Sequence, residues 1–189
     1  RCADDGISLV LLTANGRFKA RLEGAVSGNI LLRQAQHRQA LDGKFALGIA
    51  QSSIAGKLRN SRQVLLRGAR EAGSEDDNAA ISVVAETLAL SLRNLQNAVD
   101  LDEVRGIEGD AAKNYFSVLP LLVKPEARDK FTMDGRTRRP PRDRFNALLS
   151  FLYSMLMNDC RSALETVGLD PQLGFLHAVR PGRAALALD

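Results

Sequence analysis

The chain has 189 residues, of which 45% are apolar and 25% are charged, and its formal net charge is +4. This length and composition provide enough apolar side chains for a buried core and exclude general disorder. Asn146, Ser150 and Ser154 interrupt the longest apolar run, residues 145–157, which therefore falls short of the roughly 18 residues that a membrane span needs. Because Leu and Ala are abundant and aromatic residues make up only 5%, we expect a mainly helical protein without a membrane segment.

Cysteine usage indicates a reducing environment. Cys2 and Cys160 lie far apart in the chain and neither belongs to a C-x-x-C pair. Neither a disulfide framework nor a zinc knuckle is indicated, so a cytoplasmic location is expected.

Basic and acidic residues fall into alternating blocks. Residues 1–70 carry 12 Lys and Arg against 4 Asp and Glu, residues 71–110 carry 2 against 10, and residues 128–144 carry 7 against 3. Basic blocks can neutralise phosphates by counterion release, whereas an acidic zone between them repels DNA unless cations lie there. Ordinary solvated helix faces produce the same pattern, so charge alone leaves both interpretations open.

A β-hairpin is predicted near the start of the chain. Residues 7–13 are rich in Leu and β-branched side chains, and residues 17–23 alternate charged and apolar side chains after an Asn-Gly pair. Arg17, Lys19 and Arg21 share one face of the second strand because strand side chains repeat every two residues. That face is either exposed to solvent or in contact with phosphate, and Arg17 is a candidate phosphate ligand.

Helical spacing of apolar residues follows the hairpin. His37 has no acidic neighbour in sequence, and we interpret it as a surface residue. Ser74 with Asp76 and Asp77 is typical of a helix start. We predict helices over residues 30–40, 44–70, about 74–96 and 101–118.

Glu108 falls on the apolar stripe of the helix predicted over residues 101–118. Val104 and Ala111 lie four residues before it and three after it, on the same face. Gly106 and Gly109 flank it at a helix-propensity cost of about 1 kcal/mol each, which favours a close approach by backbone or ligand. A carboxylate directed at the core either binds a cation or forms a salt bridge with a neighbouring helix.

An arginine-rich loop is predicted over residues 135–144, GRTRRPPRDR. Two successive prolines prevent helix, so Arg136, Arg138 and Arg139 lie on a loop before a long helix that begins near Arg142. Arginine side chains and the N–H groups at a helix start both suit phosphate oxygens. We therefore expect this loop to contact a nucleic-acid backbone.

The long helix after this loop is apolar nearly all round, so we expect it to be central. A narrow polar stripe crosses it, because small polar residues recur every four positions at Asn146, Ser150, Ser154 and Asn158. Such residues either permit close helix packing or orient the inner shell of a site.

Two candidate metal ligands lie in the final stretch, residues 174–189. His177 follows Phe175 and Leu176, and Asp189 follows a Leu-Ala-Leu run. Because buried ionisable side chains are costly without partners, we expect them to meet a third ligand, and Glu108 is the candidate. A site of carboxylates and imidazole suits Mg²⁺ or Mn²⁺ better than structural zinc.

Several segments in order resemble one known family. They are TANGRFKARLEG and GNILLRQAQHR near the start, IEGDAAKNYF at 107–116, GRTRRPPRDRFNALLSFLYSMLMNDC at 135–160, ALETVGLDPQLGFLH at 163–177 and GRAALALD at 182–189. They closely resemble the CRISPR-associated spacer-acquisition integrase, a metal-dependent DNA endonuclease of the adaptation machinery. The similarity is greatest to its subtype I-C branch.

The resemblance implies the fold class and the domain organisation. The expected fold is mainly α, with a C-terminal helical catalytic domain preceded by a remnant β-hairpin of an N-terminal β domain. Residues 1–24 would end the β domain and residues 29–189 would form the catalytic domain. In the family, most of the β domain would precede Arg1, and further acidic residues and a helical tail would follow Asp189.

The resemblance also implies the activity, the metal ligands and the partners. Glu108, His177 and Asp189 would bind Mg²⁺ or Mn²⁺, and spacer DNA would be inserted into a CRISPR array by phosphodiester cleavage and transesterification. The DNA would be double-stranded, branched or with free 3′ ends. The expected partners are a second copy and a small ferredoxin-like Cas protein.

The DNA contacts are our inference from charge and position. We expect Arg138, Arg139 and Arg142, with Arg17, to hold the phosphate backbone. Two alternatives stay open: a metal hydrolase of a small phosphorylated substrate, and a non-catalytic helical DNA-binding or assembly module in which Glu108 and His177 pair in the core.

Overall fold

The computed structural model describes residues 1–7, 9–14, 18–22 and 30–189. These residues form mainly helices with a two-stranded antiparallel sheet, so the predicted fold class is confirmed. No helix in this part of the chain is both long and apolar enough to cross a membrane. The elements are β1 Leu9–Leu12, β2 Phe18–Leu22, α1 Ile30–Ala40, α2 Gly43–Arg70, α3 Glu75–Gln96, α4 Leu101–Val118, a 3-10 turn Leu119–Leu122, α5 Pro125–Arg128, α6 Arg144–Thr166 and α7 Ala185–Leu188.

The strands pair as the predicted hairpin. Leu9 lies opposite Leu22, and the register shifts between Leu11 and Leu12. The predicted Asn-Gly turn and Arg17 lie outside the described residues. Arg21 does not lie on a solvent-facing strand surface as expected, because its side chain is 9% exposed and forms an ion pair with Glu165 of α6.

The helix starts follow from their capping residues. Ser74 Oγ accepts a hydrogen bond from the Asp77 N–H group at 3.1 Å. The Asp100 carboxylate accepts from the N–H groups of Asp102 and Glu103 at 2.9 and 2.8 Å. These bonds pair N–H groups that have no partner within the helix, which confirms the predicted starts of α3 and α4.

Residues 47–148 form one of two compact units. Its core is built from α2, α3 and α4, whose buried positions recur at helical spacing. They include Ile54, Leu58, Leu65, Ile81, Leu88, Leu95, Val104 and Ala111, each 3% exposed or less. In this unit, Lys57 of α2 forms an ion pair with Glu108 of α4.

Residues 1–46 and 149–189 form the other compact unit. Within it, Gln36 of α1 is 5% exposed and holds the segment that leads to His177. Its amide donates to the carbonyls of Asp170 and Leu173 at 2.9 and 3.0 Å and accepts from the Asp170 N–H group at 2.8 Å. The predicted domain division at residues 24–29 stays a prediction, because residues 23–29 lie outside the described ranges.

The long helix α6 differs from expectation. Its apolar composition predicted a buried, central helix, yet Leu152, Tyr153 and Leu156 are 51%, 50% and 57% exposed. An apolar side chain is buried only where another element covers it, and the described part of the chain does not cover this face. The prediction of a helix buried on all sides is therefore wrong for the described residues.

Replacing Gln36 with Ala is expected to lower the free energy of unfolding by about 2 kcal/mol, because the half-buried backbone groups of residues 170 and 173 lose their partners. Urea denaturation followed by circular dichroism measures the change. Gln34→Ala is the matched control, since Gln34 lies exposed on the same helix. Equal stability of the two variants would contradict the assigned role of Gln36.

Candidate active site and nucleic-acid interface

The Asp189 carboxylate organises the end of the chain. Its Oδ1 accepts from His177 Nδ1 at 2.8 Å and from the His177 N–H group at 2.9 Å. Its Oδ2 accepts from the N–H groups of Phe175 and Leu176 at 2.5 and 3.1 Å. The Asp189 side chain is 3% exposed, so the carboxylate is enclosed by the segment it holds together.

Gly174 permits this enclosure. A Cβ atom on this residue would lie 2.6 Å from Asp189 Oδ2 and 2.9 Å from the carbonyl carbon of Ala185. Both distances are far below normal contact, and one partner is backbone that cannot rotate away. Glycine is therefore required here for close approach rather than for a turn.

The charge of Asp189 follows from two opposing effects. Burial by itself raises the pKa of this carboxyl, but hydrogen bonds from the His177 ring and from the N–H groups of residues 175–177 outweigh it and lower the pKa below its ordinary value. The carboxylate is thus ionised near neutral pH. Because an ionised carboxylate can only accept, His177 Nδ1 carries a proton.

His177 is consequently oriented as a ligand. With Nδ1 donating to Asp189, neutral imidazole has its lone pair on Nε2, and the side chain is 31% exposed. A carboxylate behind the imidazole is the usual support of a metal-binding histidine. A direct bond from Asp189 to a metal ion would have to replace hydrogen bonds that it already accepts, so its role as a ligand stays a prediction.

Glu108 belongs to the unit formed by residues 47–148. Its side chain is 24% exposed, so it lies at the edge of the helix packing and not in the core as expected, and its Oε1 forms an ion pair with Lys57 Nζ of α2. The salt bridge to a neighbouring helix, one of the two alternatives that the sequence offered for Glu108, is therefore present. Among the described residues, no group of three or more His, Cys, Asp and Glu is placed to hold a metal ion, and the three-ligand site stays a prediction.

The glycines beside Glu108 are not explained by protein packing. A Cβ atom on Gly106 or on Gly109 would meet nothing within 4 Å in the described structure. The expected close approach by protein backbone is thus wrong for these residues. The other expectation, an approaching ligand, stays a prediction.

The arginine-rich loop is fixed by Asn146, which is fully buried. Its Oδ1 accepts from Arg136 Nη1 at 2.8 Å and from the Thr137 N–H group at 2.9 Å. Its Nδ2 donates to the Gly135 carbonyl at 2.9 Å and to Asp143 Oδ2 at 2.6 Å. One amide therefore joins both ends of the loop to the first turn of α6.

The arginines of this loop divide into two kinds. Arg136 is half-buried, donates to Asn146 and lies 5.9 Å from the centre of the Phe116 ring, so it supports the loop. Arg138, Arg139 and Arg142 are exposed and form no ion pair within the described residues. These three side chains are exposed, and their contact with a nucleic-acid backbone stays a prediction.

The start of α6 contributes less to anion binding than expected. Asp143 Oδ1 accepts from the Asn146 N–H group at 2.7 Å, so this group is already paired. The negative charge of Asp143 also complements the positive end of the helix. Phosphate recognition by this loop would therefore rest mainly on the arginine side chains.

Two residues of these sites escaped sequence reasoning. Lys57 was one of several basic residues along α2, and no local pattern links it to Glu108, which lies 51 positions away. Asn146 was noticed only as part of a polar stripe, although its partners lie up to 11 positions earlier in the loop. Both contacts depend on tertiary packing that a helical period does not encode.

Solved structures define the class of fold. A casposase bound to integration product matches 99% of this chain and 50% of its own with a TM-score of 0.79 at 24% identity. A chain from a partial Cas6-RT-Cas1–Cas2 complex matches 100% of this chain and 54% of its own, with a TM-score of 0.74 at 26% identity. The fold is thus that of the helical part of these proteins.

The family follows from sequence. A family model described as CRISPR associated protein Cas1 matches residues 1–189, and the chain belongs to this family. A relative from Moorella thermoacetica, CRISPR-associated endonuclease Cas1 1, is 54% identical over 189 residues. The match covers 100% of this chain and 55% of that relative, so the chain spans about half of its length. The resemblance to the spacer-acquisition integrase is confirmed, and the subtype I-C assignment stays a prediction.

Replacing Asp189 with Asn is expected to lower the free energy of unfolding by about 2 kcal/mol near neutral pH, because an amide cannot accept all the bonds that the carboxylate accepts. The pKa of Asp189 is lowered in the folded state, so its stabilisation is present above the ordinary carboxyl value of about 3.9. It is lost as the pH falls through the lower folded-state value.

Urea denaturation at several pH values measures this effect, and the difference between the parent and Asp189→Asn should shrink below about pH 4. Asp159→Asn is the control, since Asp159 is an exposed carboxylate of α6. A difference that stays constant down to about pH 2 would contradict the account of Asp189.

Replacing Asn146 with Ala is expected to lower the free energy of unfolding by about 2–3 kcal/mol, because several buried polar groups lose a shared partner. Proteolysis should also cut the loop after Arg136 and Arg138 faster. Thermal melts and timed trypsin digestion measure the two effects, with the exposed residue change Asn60→Ala as control. Unchanged cleavage of the loop would contradict the role assigned to Asn146.

Proposed function

We propose that this chain carries the catalytic residues of a metal-dependent DNA endonuclease and integrase that inserts spacer DNA into a CRISPR array. Membership of the Cas1 family supports the class, and the name of the Moorella relative supports nuclease activity. The single observation that carries the proposal is the His177 ring, whose Nδ1 is held by the buried Asp189 carboxylate.

The donor set fits Mg²⁺ or Mn²⁺. Oxygen and imidazole donors suit these ions. The Glu108 carboxylate already binds one cation, the Lys57 ammonium group. We propose His177 Nε2 and Glu108 as ligands, with Asp189 as ligand or as the support of His177. When bound, the ion polarises the phosphodiester and stabilises the charge that develops on it.

The remaining residues bind and orient. Asp189 holds the proton on Nδ1, which keeps the Nε2 lone pair directed outwards from the pair. Arg138, Arg139 and Arg142 hold the DNA backbone through charge-assisted hydrogen bonds, and Arg17, outside the described residues, is proposed to do the same. The attacking group is water in cleavage or a DNA 3′ hydroxyl in integration.

The proposed partners follow from the family and from the solved complexes. One similar structure is a casposase bound to integration product, and another is a partial Cas6-RT-Cas1–Cas2 complex. We propose DNA that is double-stranded, branched or with free 3′ ends as substrate, a second copy of the chain as partner, and a small ferredoxin-like Cas protein as the other partner. A cytoplasmic location is proposed with them.

A non-catalytic DNA-binding or assembly module is the second candidate. The observation that favours it is the ion pair between Glu108 and Lys57, which satisfies the glutamate without a metal ion. Such a module would use the exposed arginines and leave His177 without a chemical role. The two candidates therefore differ in what removal of Glu108 and His177 does to cleavage.

Glu108→Gln and His177→Ala are each expected to lower Mn²⁺-dependent nicking and strand joining by about a hundredfold or more, because each removes a donor that stabilises the reacting phosphate. Labelled branched DNA reports both reactions, and thermal melts report the fold. Glu126→Gln is the control, since Glu126 is exposed on α5. Loss of folding in Glu108→Gln or His177→Ala would favour a structural role instead.

The same assay separates the other possibilities. If the parent binds DNA with a steep dependence on salt but shows no metal-dependent cleavage, the chain is a binding module. If it hydrolyses small phosphate esters and binds DNA without such a dependence, the small-substrate hydrolase is correct. Both outcomes contradict the integrase proposal.

A further inference from the structure

The ion pair between Lys57 and Glu108 is partly open to solvent. Lys57 is 46% exposed and Glu108 is 24% exposed, so the pair lies at the edge of the α2 and α4 packing rather than in the core. Lys57 Nζ of α2 is paired with the Oε1 atom of this carboxylate. Arg105, the basic residue nearest to Glu108 along α4, pairs with Asp102 at 2.5 Å.

A pair of this kind adds little to stability, because water screens both charges. Its consequence is local: the Lys57 ammonium holds the Glu108 carboxylate directed towards α2. A lysine is a point charge on a flexible stem, so it can leave the carboxylate without disturbing either helix. A divalent cation that binds Glu108 has to displace it.

We infer that Lys57 is the resident counter-ion of Glu108, which holds the carboxylate in place before a divalent cation binds and competes with that cation for it. This inference rests on the proposed function, because it requires Glu108 to be a metal ligand. Lys57 then sets the metal concentration at which the site fills. It is a positioning residue and takes no part in the bonds that break or form.

The test is the affinity of the full chain for Mn²⁺, measured without DNA by calorimetry and by electron paramagnetic resonance at low ionic strength. Lys57→Met is expected to bind Mn²⁺ about three- to tenfold more tightly, the range for removing one charge a few ångströms from a divalent ion in a hydrated site. The gain should shrink as salt is added. A purely structural role would leave the affinity unchanged or weaken it.

Two controls define the cause. Lys57→Arg keeps the charge and should bind Mn²⁺ no more tightly than the parent. Arg59→Met removes a positive charge two positions along α2, where the side chain faces away from residue 57, and should have little effect. Equal tightening in Arg59→Met and Lys57→Met would overturn the inference, as would unchanged or weaker affinity in Lys57→Met.

Glu108→Gln separates this inference from the proposed function. If Glu108→Gln binds Mn²⁺ as the parent does, the proposed metal site is wrong and the inference falls with it. If Glu108→Gln loses Mn²⁺ binding while Lys57→Met binds like the parent, the metal site stands and only the counter-ion role is overturned. Thermal melts of each variant exclude a loss of folding as the reason.

Discussion

The Asp189 carboxylate is the constraint on which the candidate site depends. A buried charge must be compensated, and here three backbone N–H groups and one ring N–H group surround it. Gly174 allows these groups to approach, because a Cβ atom there would collide with Asp189. Gln36 holds the segment before it through hydrogen bonds to Asp170. The orientation of His177 is a consequence of how the charge of Asp189 is satisfied.

The same principle governs the arginine loop. Helices α2, α3 and α4 are held by apolar packing, but between residues 135 and 144 the loop's apolar side chains are Pro140 and Pro141, and both are exposed. Instead, the buried side-chain amide of Asn146 holds the loop by hydrogen bonds, and Arg138, Arg139 and Arg142 stay exposed. Asn146 thus fixes the loop backbone, while the flexible side chains of the exposed arginines present positive charge to the surroundings.

The sequence predicted the helices and the hairpin well, because their periods and caps are local. The stripe that carries Glu108 and the exposure of His37 were also predicted correctly. What the sequence could not predict were contacts between distant segments, such as Lys57 with Glu108 and Gln36 with residue 170. The exposure of α6 was missed because apolar composition measures the capacity for burial and does not identify a covering element.

The central claim is that a divalent cation binds at His177 on the nitrogen that Asp189 leaves free. Crystals soaked in Mn²⁺ and measured at the manganese absorption edge test it directly. The account predicts an anomalous peak at bonding distance, about 2.2 Å, from His177 Nε2, with the Nδ1 hydrogen bond to Asp189 retained. A peak away from His177, or none at saturating Mn²⁺, would contradict it.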